Sequence, residues 1–336
     1  MQITLQYTRK QLGIRLGYLG IGSATAGSVG GLIAYGVGFL DGVAGLRAWR
    51  WLMIIEGIPS VLMGIATYFI LPSSISRANF LNEEERAQLL SLRRSDAGES
   101  QSDEAFHWAD AKEGMRDWQI WAFALTSFTQ DILLYGLTTF LPTIIRSLGR
   151  WSSVESQALT APVYAVAIGT YLCVAHLSDR SQNRGVYVCG FGVAAAAGYG
   201  MLVANRGPAV SYTGCCLAAL GQYVQGTLSI AWLAGNVPRY GKRAVASGLQ
   251  ISVGNSAGIL VPFLYPNKDA PTYYTGYAVA IAAALVSVSV SAFLSRYYRS
   301  VNRARALGKE DWKLEGKTEA EIAGMGDASP RYVYVP

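Results

Sequence analysis

One acidic residue stands inside a long uncharged run, and it is the group in this sequence best placed to do chemistry. Asp131 lies in SFTQDILLYG, near the middle of an otherwise uncharged stretch at 118–145. An ionisable side chain at the centre of a bilayer costs about 2.5–3.5 kcal/mol on insertion scales, so its presence there is a functional hypothesis by default. Two uses suit it: a carboxylate that takes up and releases a proton, or the partner of a cation. The structural alternative is an Asp that faces water at a helix break near Gly136.

A second set is neutral. Gln222, Gln225, Ser229 and Asn236 fall at spacings of 3, 4 and 7, which places them on one helical face. That face should look toward a cavity or another helix rather than lipid. Amides can serve a carboxylate without burying a charge. They can equally make interhelical hydrogen bonds, typically worth about 0.6 kcal/mol each. Asn255 in VGNSAG is similar, although Gly254 and Gly258 beside it form a small-xxx-small pair suited to helix packing. Tyr135 is a candidate cavity residue, as are Tyr35, Tyr164 and Trp232; packing or interface anchoring is the plainer role for aromatics here. Glu56 is expected to pair with Arg47 or Arg50.

The elements that must position these groups are transmembrane helices. Of 336 residues, 51% are hydrophobic and 15% are charged, against about a quarter charged in soluble domains. A bilayer core of about 30 Å needs about 20 apolar residues. Eight segments qualify: 16–40, 51–71, 118–145, 158–177, 186–204, 209–235, 244–265 and 274–295. The predicted fold class is therefore all-α, a polytopic membrane bundle of about eight helices. With the amino terminus cytoplasmic, 22 of the 28 Lys and Arg residues fall on the inner side, as the positive-inside rule requires. Both termini are then inside. Residues 1–15 contain no apolar region of signal-peptide length.

The same distribution argues against nucleic acid, because the net charge of +6 lies between apolar blocks and not along one face. The four cysteines fall in apolar runs without zinc spacing, and two histidines leave little for a metal site. No Walker A loop, nucleophile elbow or HExxH is present. No cofactor and no enzymatic activity are expected.

Most connections are short; residues 72–117 are not. This charged stretch reads as a cytoplasmic linker, with Asn82 capping a helix that opens on Glu83–Glu85. The chain divides into two spans (1–71), the linker (72–117), six spans (118–295) and a polar basic tail (296–336). The most informative short motif is LSDRSQNRG at 177–185. In this inner turn Asp179 can pair with a helix end or with Arg184. Arg180 can hold an opposing bundle by charge-assisted hydrogen bonds. A solvated basic turn is the alternative.

At this motif the sequence resembles the major facilitator superfamily, whose inner loops carry Gly-x-x-x-Asp-Arg-x-x-Arg. Ala175 stands at the Gly position, and Asp179, Arg180 and Arg184 match with one extra residue before the last Arg. LRAWRWLMIIEGIPSVLMGIATYFILP (46–72), YTRKQLGIR (7–15), YGLTTFLPTII (135–145) and GKRAVASGLQISVGNSAGILVPFLYPNKDAPTYYTGYA (241–278) resemble the fungal anion:cation symporter branch, which includes allantoate and nicotinate permeases. The resemblance implies a partial twelve-helix fold lacking counterparts of the first four helices. Either the reading frame given begins late or the protein is a degenerate paralogue. It also implies transport of a small organic anion with a proton, by alternating access, in a fungal plasma membrane. The rival reading is a truncated, non-transporting membrane remnant or scaffold.

Overall fold

The computed structural model describes residues 36–70, 81–97, 107–149, 151–266 and 272–336, with isolated positions at 18, 22, 25, 26, 29, 30, 33, 78 and 269. About half of the expected first span at 16–40 lies outside these residues, as does the middle of the 72–117 loop.

Among the described residues the chain is helical and contains no strand. The helices are α1 (Ala48–Ile70), α2 (Glu83–Ala97), α3 (Trp108–Arg116), α4 (Trp118–Ser147), α5 (Ser153–Ala158), α6 (Thr160–Ser181), α7 (Arg184–Ala204), α8 (Pro208–Asn236), α9 (Tyr240–Asn255), α10 (Ala257–Leu264), α11 (Tyr274–Ala306) and α12 (Glu319–Gly324). Among the described residues six helical stretches are long and apolar enough to cross a membrane: α1, α4, α6, α7, α9 with α10 taken together, and α11. The helix α8 is longer than most of these at 29 residues, about 43 Å, yet it falls short in hydropathy. The cause is the polar face read from the sequence. Gln222, Gln225, Ser229 and Asn236 are all buried, so lipid never meets them.

Local sequence explains the boundaries. The Asp117 carboxylate accepts the Gln119 N–H at 2.9 Å and caps α4. Pro208 opens α8, where its missing N–H costs nothing. Gln182 and Asn205 end α6 and α7 in the left-handed region, at φ 51° and 43°. Asn82 precedes α2 as expected, and its N–H donates to Glu85 at 3.0 Å.

The abundant glycines have a visible use between α7 and α8. A Cβ at Gly198 would lie 2.4 Å from the Ala218 nitrogen, and one at Gly221 would lie 2.6 Å from the Ala195 nitrogen. Only hydrogen fits, so the two backbones touch, as small residues permit in membrane helices. The helix α8 sits among α4, α6 and α7, while α11 packs on α4 and α7. Two apolar clusters fill the bundle: one around Leu137, Tyr199 and Tyr277, the other around Phe123, Trp232 and Tyr298.

Four expectations change. The segment at 244–265 is one span broken at Ser256 into α9 and α10. The last span continues as helix to Ala306. Residues beyond it do not trail as a polar extension, because Tyr332, Tyr334 and Val335 are buried in the second cluster. The helix α1 has no buried residue. Glu56 on it is exposed and makes no ion pair with Arg47 or Arg50.

Candidate substrate cavity

A cavity of about 220 Å³ lies between α4, α8 and α9. Asp131 reaches it from the middle of α4, Gln222 from α8, and Gln250 and Asn255 from α9. Asn255 is the last residue of α9, at the break. Interrupted helices at such depth are tolerated where they line a cavity, and in transporters they mark binding sites.

The polar groups divide by what already satisfies them. The Tyr135 hydroxyl donates to Asn255 Oδ1 at 2.6 Å. That bond fixes the amide's orientation and leaves its NH₂ as the free donor. Deeper in the bundle, Gln130 and Gln225 both donate to Ser287 Oγ, at 3.2 and 2.9 Å. Gln250 donates to Ser229 Oγ at 3.4 Å. Gln222 differs. It is 3% exposed, lines the cavity, and neither its Oε1 nor its Nε2 has a hydrogen-bond partner. A buried amide left unmet costs about 1–3 kcal/mol, so it calls for a ligand or water.

Charge in the cavity is simple. Among the described residues Asp131 is the one formally charged group that lines the space, and no Lys or Arg does. Its carboxylate has no ion-pair partner among the described residues. Gly254 makes room for it: a Cβ there would stand 2.5 Å from Asp131 Oδ2 and 3.2 Å from Ser127 Cβ. The site can meet a small polar molecule with amide donors and acceptors, and it offers one carboxylate to a proton or cation.

Of the residues singled out in the sequence, the structure brings Asp131, Gln222 and Asn255 together at the cavity, with Tyr135 hydrogen-bonded to Asn255. Gln225 lies behind them on Ser287. Asn236 is not at the cavity: it bonds to Val335 at the far end of α8. Asp179 and Arg184 are buried together at that end, with Arg184 Nη2 3.2 Å from Asp179 Oδ1. Arg184 Nη1 donates to the Ala231 carbonyl of α8. The bridge between helices is therefore made by Arg184; Arg180 is exposed. Sequence reasoning missed Gln130, Gln250 and Ser287, though the polar steps Gln130–Asp131 and Ser287–Ser291–Ser295 were there to be read.

It also missed an ionic cluster joining α3 to α9. Arg239 pairs with Asp110 at 2.9 Å and with Glu113. The buried Lys242 ammonium meets Asp327 at 2.7 Å, Asp117 at 2.8 Å and Glu113 at 3.5 Å. Partial burial pushes the Glu113 carboxyl upward, but the bond and charge of Arg239, aided by Lys242, outweigh it and hold Glu113 below the usual carboxylate range.

Comparisons with known proteins agree with this architecture. The family model described as Major Facilitator Superfamily matches residues 2–262. An uncharacterized transporter of Schizosaccharomyces pombe is 36% identical over 288 residues, which is 85% of this chain and 57% of that protein. A second S. pombe uncharacterized transporter is 33% identical, covering 91% of this chain and 61% of its own length. The high-affinity nicotinic acid transporter of Saccharomyces cerevisiae is 29% identical over 335 residues, 100% of this chain and 62% of that protein. The chain thus spans less than two thirds of the length of these relatives, which are transporters and not enzymes. Among solved structures, the proton:xylose symporter XylE shares the fold, with a TM-score of 0.63 over 84% of this chain and 64% of that one at 15% identity. The chain is an integral, multi-pass membrane protein belonging to the Major Facilitator Superfamily.

Proposed function

We propose that the chain supplies the cavity-bearing part of a permease that carries a small organic anion, a nicotinate- or allantoate-like carboxylate, together with a proton. The observation that carries this reading is the pairing of Asp131, a carboxylate without a counter-ion among the described residues, with the unmet amide of Gln222 in one cavity. In this reading Asp131 takes the proton. Gln222 and the Asn255 NH₂ meet the substrate, and Tyr135 holds Asn255 in place. Because the cavity's own charge is negative, an anion is favoured there only when Asp131 is protonated, which is the logic of symport. The name of the S. cerevisiae relative supports the choice of carboxylate. Residues 1–71 then belong to an amino-terminal half and 118–295 to a carboxy-terminal half, with both termini cytoplasmic and the plasma membrane as the site. The Asp179–Arg184 pair stabilises one state of the rocking cycle.

A second reading has its own observation. The helix α1 buries no residue, and none of its residues is among those that line the cavity of Asp131 and Gln222. A non-transporting membrane remnant or scaffold fits that. Uptake of labelled nicotinate and allantoate in yeast lacking their own carriers separates the two. The permease reading expects uptake that rises as external pH falls, and loss of that uptake in Asp131→Asn. Membrane-inserted protein that never exceeds vector uptake would overturn it in favour of the remnant.

A further inference from the structure

The residues after α11 are bound in a groove at the end of the bundle that carries the Asp179–Arg184 pair, and they are bound as a peptide is bound. Two asparagines from different helices each grip one residue's backbone at both ends. Asn302 of α11 accepts the Tyr334 N–H at 2.9 Å and donates to the Tyr334 carbonyl at 2.8 Å. Asn236 of α8 accepts the Val335 N–H at 2.8 Å and donates to the Val335 carbonyl at 2.9 Å. The Trp232 indole adds a second donor to the Val335 carbonyl at 2.7 Å, and the Gly185 N–H meets the Pro336 oxygen at 3.1 Å. Main-chain bonds of this kind read an extended backbone; pockets for side chains supply selectivity. Here the pockets are aromatic. The Tyr334 ring stacks on Tyr298 at 4.6 Å, with the Arg305 guanidinium 5.0 Å over its face. The Tyr332 hydroxyl donates to the Gly235 carbonyl at 3.0 Å.

The groove also keeps its charges partnered without the peptide. Asp327, at the start of the segment, reaches the buried Lys242. That lysine retains Asp117 and Glu113 if Asp327 leaves. Arg305 likewise keeps Glu310 at 3.1 Å when the Tyr332 and Asp327 carbonyls depart. Stranding a buried charge would oppose release of the segment by about 3–5 kcal/mol for a broken pair. This site avoids it.

We propose that this groove is an extended-peptide binding site whose occupant is the chain's own segment 326–336, docked reversibly so as to strap the inner ends of α7, α8, α9 and α11 together. The ligand class is a short peptide with two alternate tyrosines followed by an apolar residue. Its occupancy fixes the α8–α9 corner, and with it two of the helices that line the cavity. This proposal does not rest on transport.

The test needs no transport either. Val237, 5% exposed and packed in the same cluster as Tyr332 and Val335, is changed to cysteine after the four native cysteines are replaced. Alkylation of Val237→Cys is followed in membranes for three proteins: the full chain, the full chain with Asn236→Leu, and the chain ending at Met325. A synthetic peptide of residues 326–336 is added to the last. We expect alkylation at least 10-fold faster in both altered proteins. The peptide should restore protection saturably, and a peptide with Tyr334→Ala should not. Unchanged alkylation in Asn236→Leu would overturn the proposal. So would failure of the shortened chain to insert, or a peptide that protects nothing, since the segment would then be an irreplaceable part of the fold.

Discussion

Asp131 and Gly254 meet across α4 and α9 so closely that a methyl group on the glycine would stand 2.5 Å from the carboxylate oxygen. The contact explains how the cavity carboxylate lies against a helix backbone. It also gives the Gly254–Gly258 pair a use beyond helix packing. In Gly254→Ala the carboxylate must swing away, and we expect uptake to fall at least tenfold. Gly248→Ala, with nothing within 4 Å of its Cβ, is the matched control. Gly248→Ala favours helix by about 1 kcal/mol and should not lower thermal stability in detergent; in Gly254→Ala that gain is set against the contacts with Asp131 and Ser127, so uptake is compared at equal amounts of folded protein. Equal uptake by the two variants would remove the positioning role of Gly254.

Gln222 separates function from packing by sign. Its amide is buried and unmet, so Gln222→Leu removes a cost of about 1–3 kcal/mol. We expect the midpoint of thermal unfolding to rise by a few degrees while uptake falls. A residue that merely packs would do the reverse, losing stability with little change in uptake. Thermal unfolding followed by size-exclusion fluorescence, alongside uptake, reads both.

The membrane class and most helix positions were legible because apolar length is a strong signal, and because a helix in lipid must satisfy its own backbone. The face of α8 was legible too: four polar residues at helical spacing are all buried. What spacing could not say was where along α8 each would work. Gln222 meets a cavity, Gln225 meets Ser287, and Asn236 meets Val335, a residue 99 positions away. Such partners are set by tertiary packing and leave no local trace. The same holds for Lys242, which reads as a positive-inside charge but is a buried hub for three carboxylates. In the motif at 177–185 the pairing of Asp179 with Arg184 was legible, whereas the further reach of Arg184 to the Ala231 carbonyl was not. Arg184 opens α7, where it faces α8; Arg180 in the last turn of α6 faces away.

The α3–α9 cluster makes stability depend on pH in a stated direction. Glu113 is held below its ordinary range by Arg239 and Lys242. A carboxyl lowered in the folded state adds stability above its unfolded value, and that stability is lost as pH falls through the folded value. Glu113→Gln should therefore unfold at a lower temperature than the parent near pH 7. The gap should start to narrow below about pH 4, where free glutamate protonates, and close once pH passes the lowered folded value. A constant gap across that window would assign the effect to packing. Because Glu113 is half exposed, the gap should also shrink in high salt.

The Asp179–Arg184 pair allows its structural and functional parts to be told apart. Arg184 is fully buried and spans from Asp179 to the Ala231 carbonyl of α8. Removing one partner of a buried pair costs about 3–5 kcal/mol, whereas replacing both by apolar residues is often close to neutral. Asp179→Asn alone should therefore unfold the protein at a markedly lower temperature. Arg184→Met with Asp179→Leu should recover most of that loss. Under the proposed alternating-access reading the guanidinium ties α7 to α8 in one state of the cycle, and the apolar double variant would restore cohesion without restoring that directional bond. Uptake should stay low in the double variant even where stability returns. If uptake returns with stability, the pair serves the fold alone, and the gating role assigned to it fails.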